Sequence, residues 1–313
     1  MKTSCKAIIT ALILLLCMNC IYSQTNIPDE RLMALLLAKD CASAKVLVTS
    51  VKSVDYIDKD GFSLLMVGAY NGCTDVVKTL LNKGAKVNLQ SIPGSTALMM
   101  SSGIGNIEVV KLLLDKGAKP DLQDTEGYTA LMAASEKGYS EIVELLFNKG
   151  ANMNLLSIMG ETALSLASGN GNIEIVKLLL DKGAKLDLQS PSGWTALMEA
   201  SDKGRSEIVK LLLNNGANAN LQSIQGTALI CASTVGNTEI IKLLLGKGAK
   251  PDLQDQSGWT ALIAASSRGH SEVVKLLLDK GANPGIKAKN GKTALDYAEN
   301  DDIKTLLTSY IKK

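Results

Sequence analysis

Histidine and the glycine-rich segments are the places where this sequence could carry chemistry. His270 is the single histidine among the 313 residues, and no cysteine or serine forms a recognisable catalytic motif with it. The segment from Gly285 to Thr293 reads GIKAKNGKT, which has one residue too many for the phosphate-binding pattern G-x-x-x-x-G-K-T. We therefore expect no nucleotide cofactor and predict that the protein is not an enzyme.

Metal-binding patterns are also incomplete. The segment Asp58–Gly61 resembles the start of a calcium loop, but Tyr56 and Val67 occupy the first and last ligand positions. No cysteine and histidine spacing typical of zinc is present in the sequence. The sequence therefore predicts neither a metal site nor a cofactor.

The N-terminal residues 1–23 have the pattern of a secretory signal peptide. Lys2 and Lys6 precede an apolar run from Ala7 to Cys17, and a small residue, Ser23, ends the segment. We predict cleavage between Ser23 and Gln24. Cleavage predicts export to the periplasm or secretion. The general style of the sequence is typical of a bacterial protein.

Two other interpretations of this segment stay open. An uncleaved membrane anchor is one, although the run is shorter than the ~20 residues that a spanning helix needs. A lipoprotein modified at Cys17 or Cys20 is the other, although Leu16 and Asn19 fit the usual lipid-attachment pattern poorly. In that case a lipid anchor would be the protein's contact with the membrane.

The rest of the chain consists of one repeated block. Residues 127–151, GYTALMAASEKGYSEIVELLFNKGA, return in similar form at 160–184 and 193–217. Threonines recur about every 33 residues, a period typical of stacked helical repeats. Thr129 can cap a first helix, Gly138 can end it, and an apolar stripe from Ile142 predicts a second helix. Such a pair is too small to bury its own apolar stripe, so neighbours must cover it.

This sequence pattern resembles that of the ankyrin-repeat family, whose usual form is G-x-T-P-L-H-x-A-A. The resemblance implies an all-α ankyrin-repeat solenoid of helix-turn-helix units joined by short β-hairpin fingers. Alanine replaces the family's proline in seven units, and apolar residues such as Met99, Met132 and Ile263 mostly replace its first histidine. The alanines are Ala97, Ala130, Ala163, Ala196, Ala228, Ala261 and Ala294. His270 matches a later histidine of the family, which implies a structural role.

The same sequence pattern predicts the repeat boundaries. Residues 24–57 read as a degenerate N-terminal capping repeat, and residues 288–313 read as a C-terminal cap. Seven repeats lie between the caps, at about 58–90, 91–123, 124–156, 157–189, 190–222, 223–254 and 255–287.

The sequence also repeats with a longer period of two units. The repeats that begin near 124, 190 and 255 carry an aromatic residue after the finger glycine, whereas those near 91, 157 and 223 carry Ser-Ile in the finger. The resemblance implies that fingers and the concave helix face contact a protein partner. The candidate partner-binding residues are Phe62, Tyr128, Trp194 and Trp259 on the fingers, and Glu136, Lys137, Asp202, Lys203 and Arg268 at the first-helix ends. The alternatives are rings that only stack on neighbouring fingers and charges that only face solvent.

Three cysteines, Cys41, Cys73 and Cys231, follow the predicted cleavage site. Corresponding positions in neighbouring repeats of such a stack lie about 10 Å apart, beyond the ~7 Å Cα separation that a disulfide bridges. We therefore expect no disulfide.

These observations favour a non-enzymatic scaffold for protein–protein interaction, exported from the cytoplasm. The net charge of +2 gives no reason to expect nucleic acid as a partner, and we expect a monomer. Two alternatives remain, a lipid-anchored structural protein of the envelope and a secreted factor that engages a host protein.

Overall fold

The computed structural model describes residues 28–311, so the predicted signal peptide lies outside the described residues. The described residues form seventeen α-helices and one short 3-10 helix. None of these helices is long and apolar enough to cross a membrane. The chain divides into two compact units, one ending at Asn152 and the other beginning at Met153.

The helices come in pairs. The described part of the first unit contains α1 Pro28–Leu37, α2 Cys41–Leu47, α3 Leu64–Tyr70, α4 Thr74–Asn82, α5 Ala97–Ile104, α6 Ile107–Asp115, α7 Ala130–Lys137 and α8 Ser140–Asn148, with the 3-10 turn Val48–Ser50 after α2. The second unit contains α9 Ala163–Asn170, α10 Ile173–Asp181, α11 Ala196–Asp202, α12 Ser206–Asn214, α13 Ala228–Val235, α14 Thr238–Gly246, α15 Ala261–Ser267, α16 Ser271–Asp279 and α17 Asp301–Ile311.

A threonine caps the first helix of most pairs, as predicted. Thr129 Oγ1 accepts a hydrogen bond from Met132 N at 3.2 Å and so satisfies one free N–H of α7. Gly138 then ends α7 with a φ of 86°, a left-handed conformation that glycine adopts without steric cost. Because alanine is the best helix former, α7 begins at Ala130 without the family's proline.

Each unit has two layers of helices. In the second unit the first helices α9, α11, α13 and α15 pack against one another in order, and the second helices α10, α12, α14 and α16 form the other layer. The second helix α12 buries four aliphatic side chains, Ile208, Val209, Leu212 and Leu213. The core of each pair is therefore closed only by the pairs beside it.

The predicted β-hairpin fingers are tight turns, and no described finger forms a strand. Two isolated bridges occur in them, one between Ile57 and Ser63 and one between Ser223 and Gly226. Each turn is so short that it leaves a single residue pair, which is too few for a ladder of hydrogen bonds. Neighbouring finger tips are linked by single backbone hydrogen bonds, such as the 2.8 Å bond from Ile224 N to Ser192 O.

A row of side-chain hydrogen bonds joins consecutive repeats. Asp187 Oδ1 accepts from Asn218 N at 3.0 Å, and Asn220 Oδ1 accepts from Lys250 N at 2.8 Å. The same bond, from a side-chain oxygen to a backbone N–H about one repeat later, recurs at Asp55, Asn88, Asp121, Asn154 and Asp252. Aspartate and asparagine alternate along this row, so either side chain supplies the acceptor.

Residues that follow the first-helix glycine make a second set of links. The His270 ring nitrogen Nε2 lies 3.1 Å from Thr234 O, one repeat earlier, and Arg205 Nε donates to Gly169 O at 3.1 Å. The predicted structural role of His270 is therefore confirmed by this contact.

The expectation that Cys41 and Cys73 stay unpaired was wrong. They form a disulfide, with their Cα atoms 5.2 Å apart. The spacing expected for corresponding positions does not apply, because the two cysteines do not correspond. Cys41 is the first residue of α2, whereas Cys73 is the residue before α4, at the position that Asp40 holds in the cap. Cys231 is free and buried, and that burial raises its pKa to about 12.

A column of serines lies in the core of the first helices. Ser168, Ser201 and Ser233 occupy matching positions and are fully buried. Ser201 Oγ donates to Leu197 O at 2.7 Å, whereas within residues 28–311 the hydroxyls of Ser168 and Ser233 have no hydrogen-bond partner. A buried hydroxyl without a partner costs free energy.

We predict that Ser168→Ala and Ser233→Ala each raise the free energy of unfolding by about 1 kcal/mol, because each removes a buried unpaired hydroxyl. Urea unfolding followed by circular dichroism measures the change. Ser201→Ala is the matched control, since it gains the same helix propensity but loses its bond to Leu197 O. An equal stabilisation by Ser201→Ala would contradict the prediction.

We also predict that Asp187→Ala lowers the free energy of unfolding by about 0.5–1.5 kcal/mol, because the N–H of Asn218 loses its acceptor. Asp187→Asn is the control and is expected to be nearly neutral, since Asn154 makes the same bond to Lys185 N. Equal losses in the two variants, measured by urea unfolding, would show that charge rather than the hydrogen bond matters here.

Candidate partner-binding surface

The finger turns are fixed by a side-chain acceptor at their first residue. Asp124 Oδ1 accepts from Glu126 N at 3.0 Å and from Tyr128 N at 2.8 Å, which closes the turn and sets the backbone of the aromatic position. Asp58 does the same for Phe62 N at 2.8 Å. Burial in this turn raises the pKa of Asp58, and the hydrogen bonds from Phe62 and Asp60 N–H oppose that rise.

The candidate aromatic residues Phe62, Tyr128, Trp194 and Trp259 are all half-buried rather than fully exposed. The indole Nε1 of Trp194 donates to Glu199 Oε2, a side chain on α11 of the same repeat. That contact holds the ring along the first helix. The residue is only half-buried, so Trp194 can contribute both to stability and to a contact surface.

Trp259 contacts a neighbouring element of its own chain. Its ring centroid lies 5.0 Å from that of Tyr297 with an angle of 53° between the planes, a favourable tilted arrangement. Tyr297 belongs to the turn that replaces a first helix in the C-terminal cap. The contact is thus with the turn of the C-terminal cap, whereas the alternative from the sequence was stacking on a neighbouring finger.

The candidate charged residues form close pairs at the ends of first helices. Lys137 lies 3.1 Å from Glu136, and Lys203 lies 2.8 Å from Asp202. The hydrogen bond from Lys203 to Asp202 raises the pKa of the lysine. Arg268 occupies the same helix-end position on α15 and is exposed. These pairs are exposed ion pairs that add little stability and remain open to a polar partner.

Four exposed apolar side chains lie on fingers that lack an aromatic residue, and Ile57, in the finger of Phe62, is 53% exposed as well. In the second unit, Ile158 is 64%, Met159 is 69% and Ile224 is 46% exposed. In the first unit, Ile92 is 71% exposed. The sequence did not predict these residues as partner-binding, although Ile92, Ile158 and Ile224 belong to the Ser-Ile pairs that recur in alternate fingers. We define Ile92, Ile158, Met159 and Ile224 as the aliphatic finger residues.

The ends of the first helices follow the two-repeat alternation in part. Where the aromatic repeats carry Lys137, Lys203 or Arg268, two alternate repeats carry exposed Ile104 on α5 and exposed Val235 on α13, and the third carries polar Asn170 on α9. Single exposed apolar side chains are common on protein surfaces, whereas larger exposed apolar patches mark contact sites. Apolar side chains thus add to the candidate surface at two of these helix ends.

Within the described residues, no group of three or more His, Cys, Asp or Glu side chains is placed to hold a metal ion. An open depression between α16 and α17 is lined by Ser271, Glu272, Lys275, Asp302 and Ser309, and Lys275 there pairs with Asp279 at 2.7 Å. The chemistry that the candidate surface offers is recognition by apolar and polar contact.

Comparison with known families agrees with this architecture. A family model for ankyrin repeats in three copies matches residues 84–157, 149–223 and 227–313, and a model for a single ankyrin repeat matches residues 60–92. No curated protein matches the sequence at a significant level. Because the matched segments cover most of the chain, this protein belongs to the ankyrin-repeat family.

Proposed function

We propose that this protein is an exported, non-enzymatic scaffold that binds a protein partner through its fingers and first-helix ends. Ankyrin repeats generally mediate protein–protein interaction, and this supports the scaffold role. The observation that carries the proposal is the set of aliphatic finger residues, because their exposure has no role in the fold.

The proposed mechanism is docking on a preformed surface. The turn of each finger is closed by side-chain and backbone hydrogen bonds, so little conformational entropy is lost when a partner binds. The aliphatic finger residues would supply apolar anchors, the aromatic residues would supply partly covered rings, and the charged helix ends would form a polar rim.

Two observations support export. Residues 1–23 have the charge and apolar pattern of a signal peptide. The Cys41–Cys73 disulfide is of a kind that persists in oxidising compartments. Detection of the protein in periplasm, culture medium or membrane fraction separates the periplasmic, secreted and lipid-anchored forms, and palmitate incorporation at Cys17 or Cys20 tests the last.

We predict that the double variant Ile158→Ser, Ile224→Ser weakens binding by about tenfold or more without changing the melting temperature, because both side chains face solvent. The partner is first captured by crosslinking on intact cells, and its affinity is then measured with purified proteins. Val46→Ser is the control, since Val46 is 75% exposed but lies on α2, away from the fingers. Equal affinity of all three chains would remove the aliphatic fingers from the binding site.

For the tryptophans we predict a divided result. Trp194→Ala and Trp259→Ala both weaken partner binding while helical circular dichroism is retained, and Trp259→Ala also lowers the melting temperature by a few degrees because its contact with Tyr297 is lost. Tyr297→Ala is the matched control and is expected to lower the melting temperature while binding stays intact. If Trp259→Ala affects only the melting temperature, its ring serves stacking alone.

A further inference from the structure

The second helix of the N-terminal cap has a thinner apolar stripe than the later second helices. In α2 itself Ala44 is the fully buried side chain and Leu47 is half-buried, and Val48 and Val51 are buried just after the helix. Each later second helix from α4 to α16 buries three or four aliphatic side chains within the helix. Val46 of α2 is instead 75% exposed. Apolar burial therefore holds α2 less strongly than it holds the corresponding helices.

The polar contacts that tie α2 to its neighbour are exposed. Lys45 pairs with Asp75 at 2.8 Å, but both side chains are 62% exposed. Lys83 Nζ donates to Thr49 O, and this hydrogen bond is also exposed to solvent. Exposed pairs of this kind contribute little stability because water and salt screen them. By contrast, α1 is held by apolar packing, since Leu32 and Leu36 are fully buried.

The disulfide attaches α2 to the next helix pair, where its apolar packing is weak. Cys41 is the first residue of α2, and Cys73 directly precedes α4. The bond closes a chain segment with a sequence separation of 32 residues. It thus fastens the weakly packed helix of the cap to the first helix pair with a complete apolar stripe.

We propose that the Cys41–Cys73 disulfide is a thiol–disulfide exchange site, and that its reduction by a protein dithiol releases α2 and the Val48–Ser50 turn from α4. The cap is closed where the compartment is oxidising and open where dithiols prevail. Because α1 also packs against α3, it stays in place when α2 is released.

The two sulfurs differ in access, which sets the order of the reaction. Cys41 is half-buried, whereas Cys73 is only 2% exposed. A thiolate of the dithiol attacks Cys41 Sγ, the S–S bond breaks, and its electron pair leaves on Cys73 Sγ as a thiolate. That thiolate lies at the positive N-terminal end of α4 and later takes a proton from water. The second thiol of the reductant then releases Cys41 as a thiol and leaves as the disulfide, so two electrons and two protons are transferred.

The test is hydrogen–deuterium exchange with mass spectrometry on the full chain, oxidised and after treatment with dithiothreitol. We expect amide exchange in peptides covering residues 41–51 to accelerate by about tenfold or more on reduction, because local opening becomes frequent. Peptides from α1 and from residues 153–311 are expected to change little. The double variant Cys41→Ser, Cys73→Ser should show the fast exchange without reductant.

Two controls isolate the disulfide. Cys231→Ala removes the buried free thiol and should leave the response to reductant intact. Lys45→Ala removes the exposed ion pair and should leave exchange in the oxidised protein nearly unchanged. Unchanged exchange at 41–51 after reduction, or an equal rise across the whole chain, would overturn the proposal. No partner enters this measurement, so its failure leaves the scaffold proposal standing, and failure of partner binding leaves this one standing.

Discussion

Apolar contact between neighbouring helix pairs is the interaction on which the rest of this structure depends. A second helix such as α12 presents four aliphatic side chains on one face, and only the adjoining pairs remove that face from water. Stability is therefore shared along each unit rather than gathered in one thick core. A chain built in this way leaves finger turns and helix ends free for contact with other molecules.

Polar links fix how far each pair is turned and shifted relative to the next. The row of bonds that includes Asp187 and Asn220 runs from side-chain oxygens to backbone N–H groups of the following repeat. Because apolar contact is not directional, such hydrogen bonds set the register that packing alone leaves loose. Within each unit the fingers take their spacing from this register, while the alternation of aromatic and aliphatic residues is set by the sequence.

The first and the last helix pairs each have a face that no neighbouring pair covers, and different contacts compensate for it. At the N-terminal end, α2 has little to bury, and the Cys41–Cys73 disulfide fastens it. At the C-terminal end a turn around Tyr297 replaces a first helix, and α17 buries Ile303 and Leu307 while the rest of it faces solvent. Terminal pairs have a neighbour on one side only, so each needs a compensating contact.

The sequence by itself determined the repeat and the two helices of its regular units. Thr129 and Gly138 act through local hydrogen bonding and backbone conformation, so their spacing was enough to predict α7. Tertiary structure decided what depends on side chains from different repeats. The 5.2 Å Cα separation of Cys41 and Cys73 arises between two repeats, and the ring of Trp259 packs against that of Tyr297, 38 residues later. No local pattern records such contacts, because distance and burial between repeats arise only when the pairs are stacked.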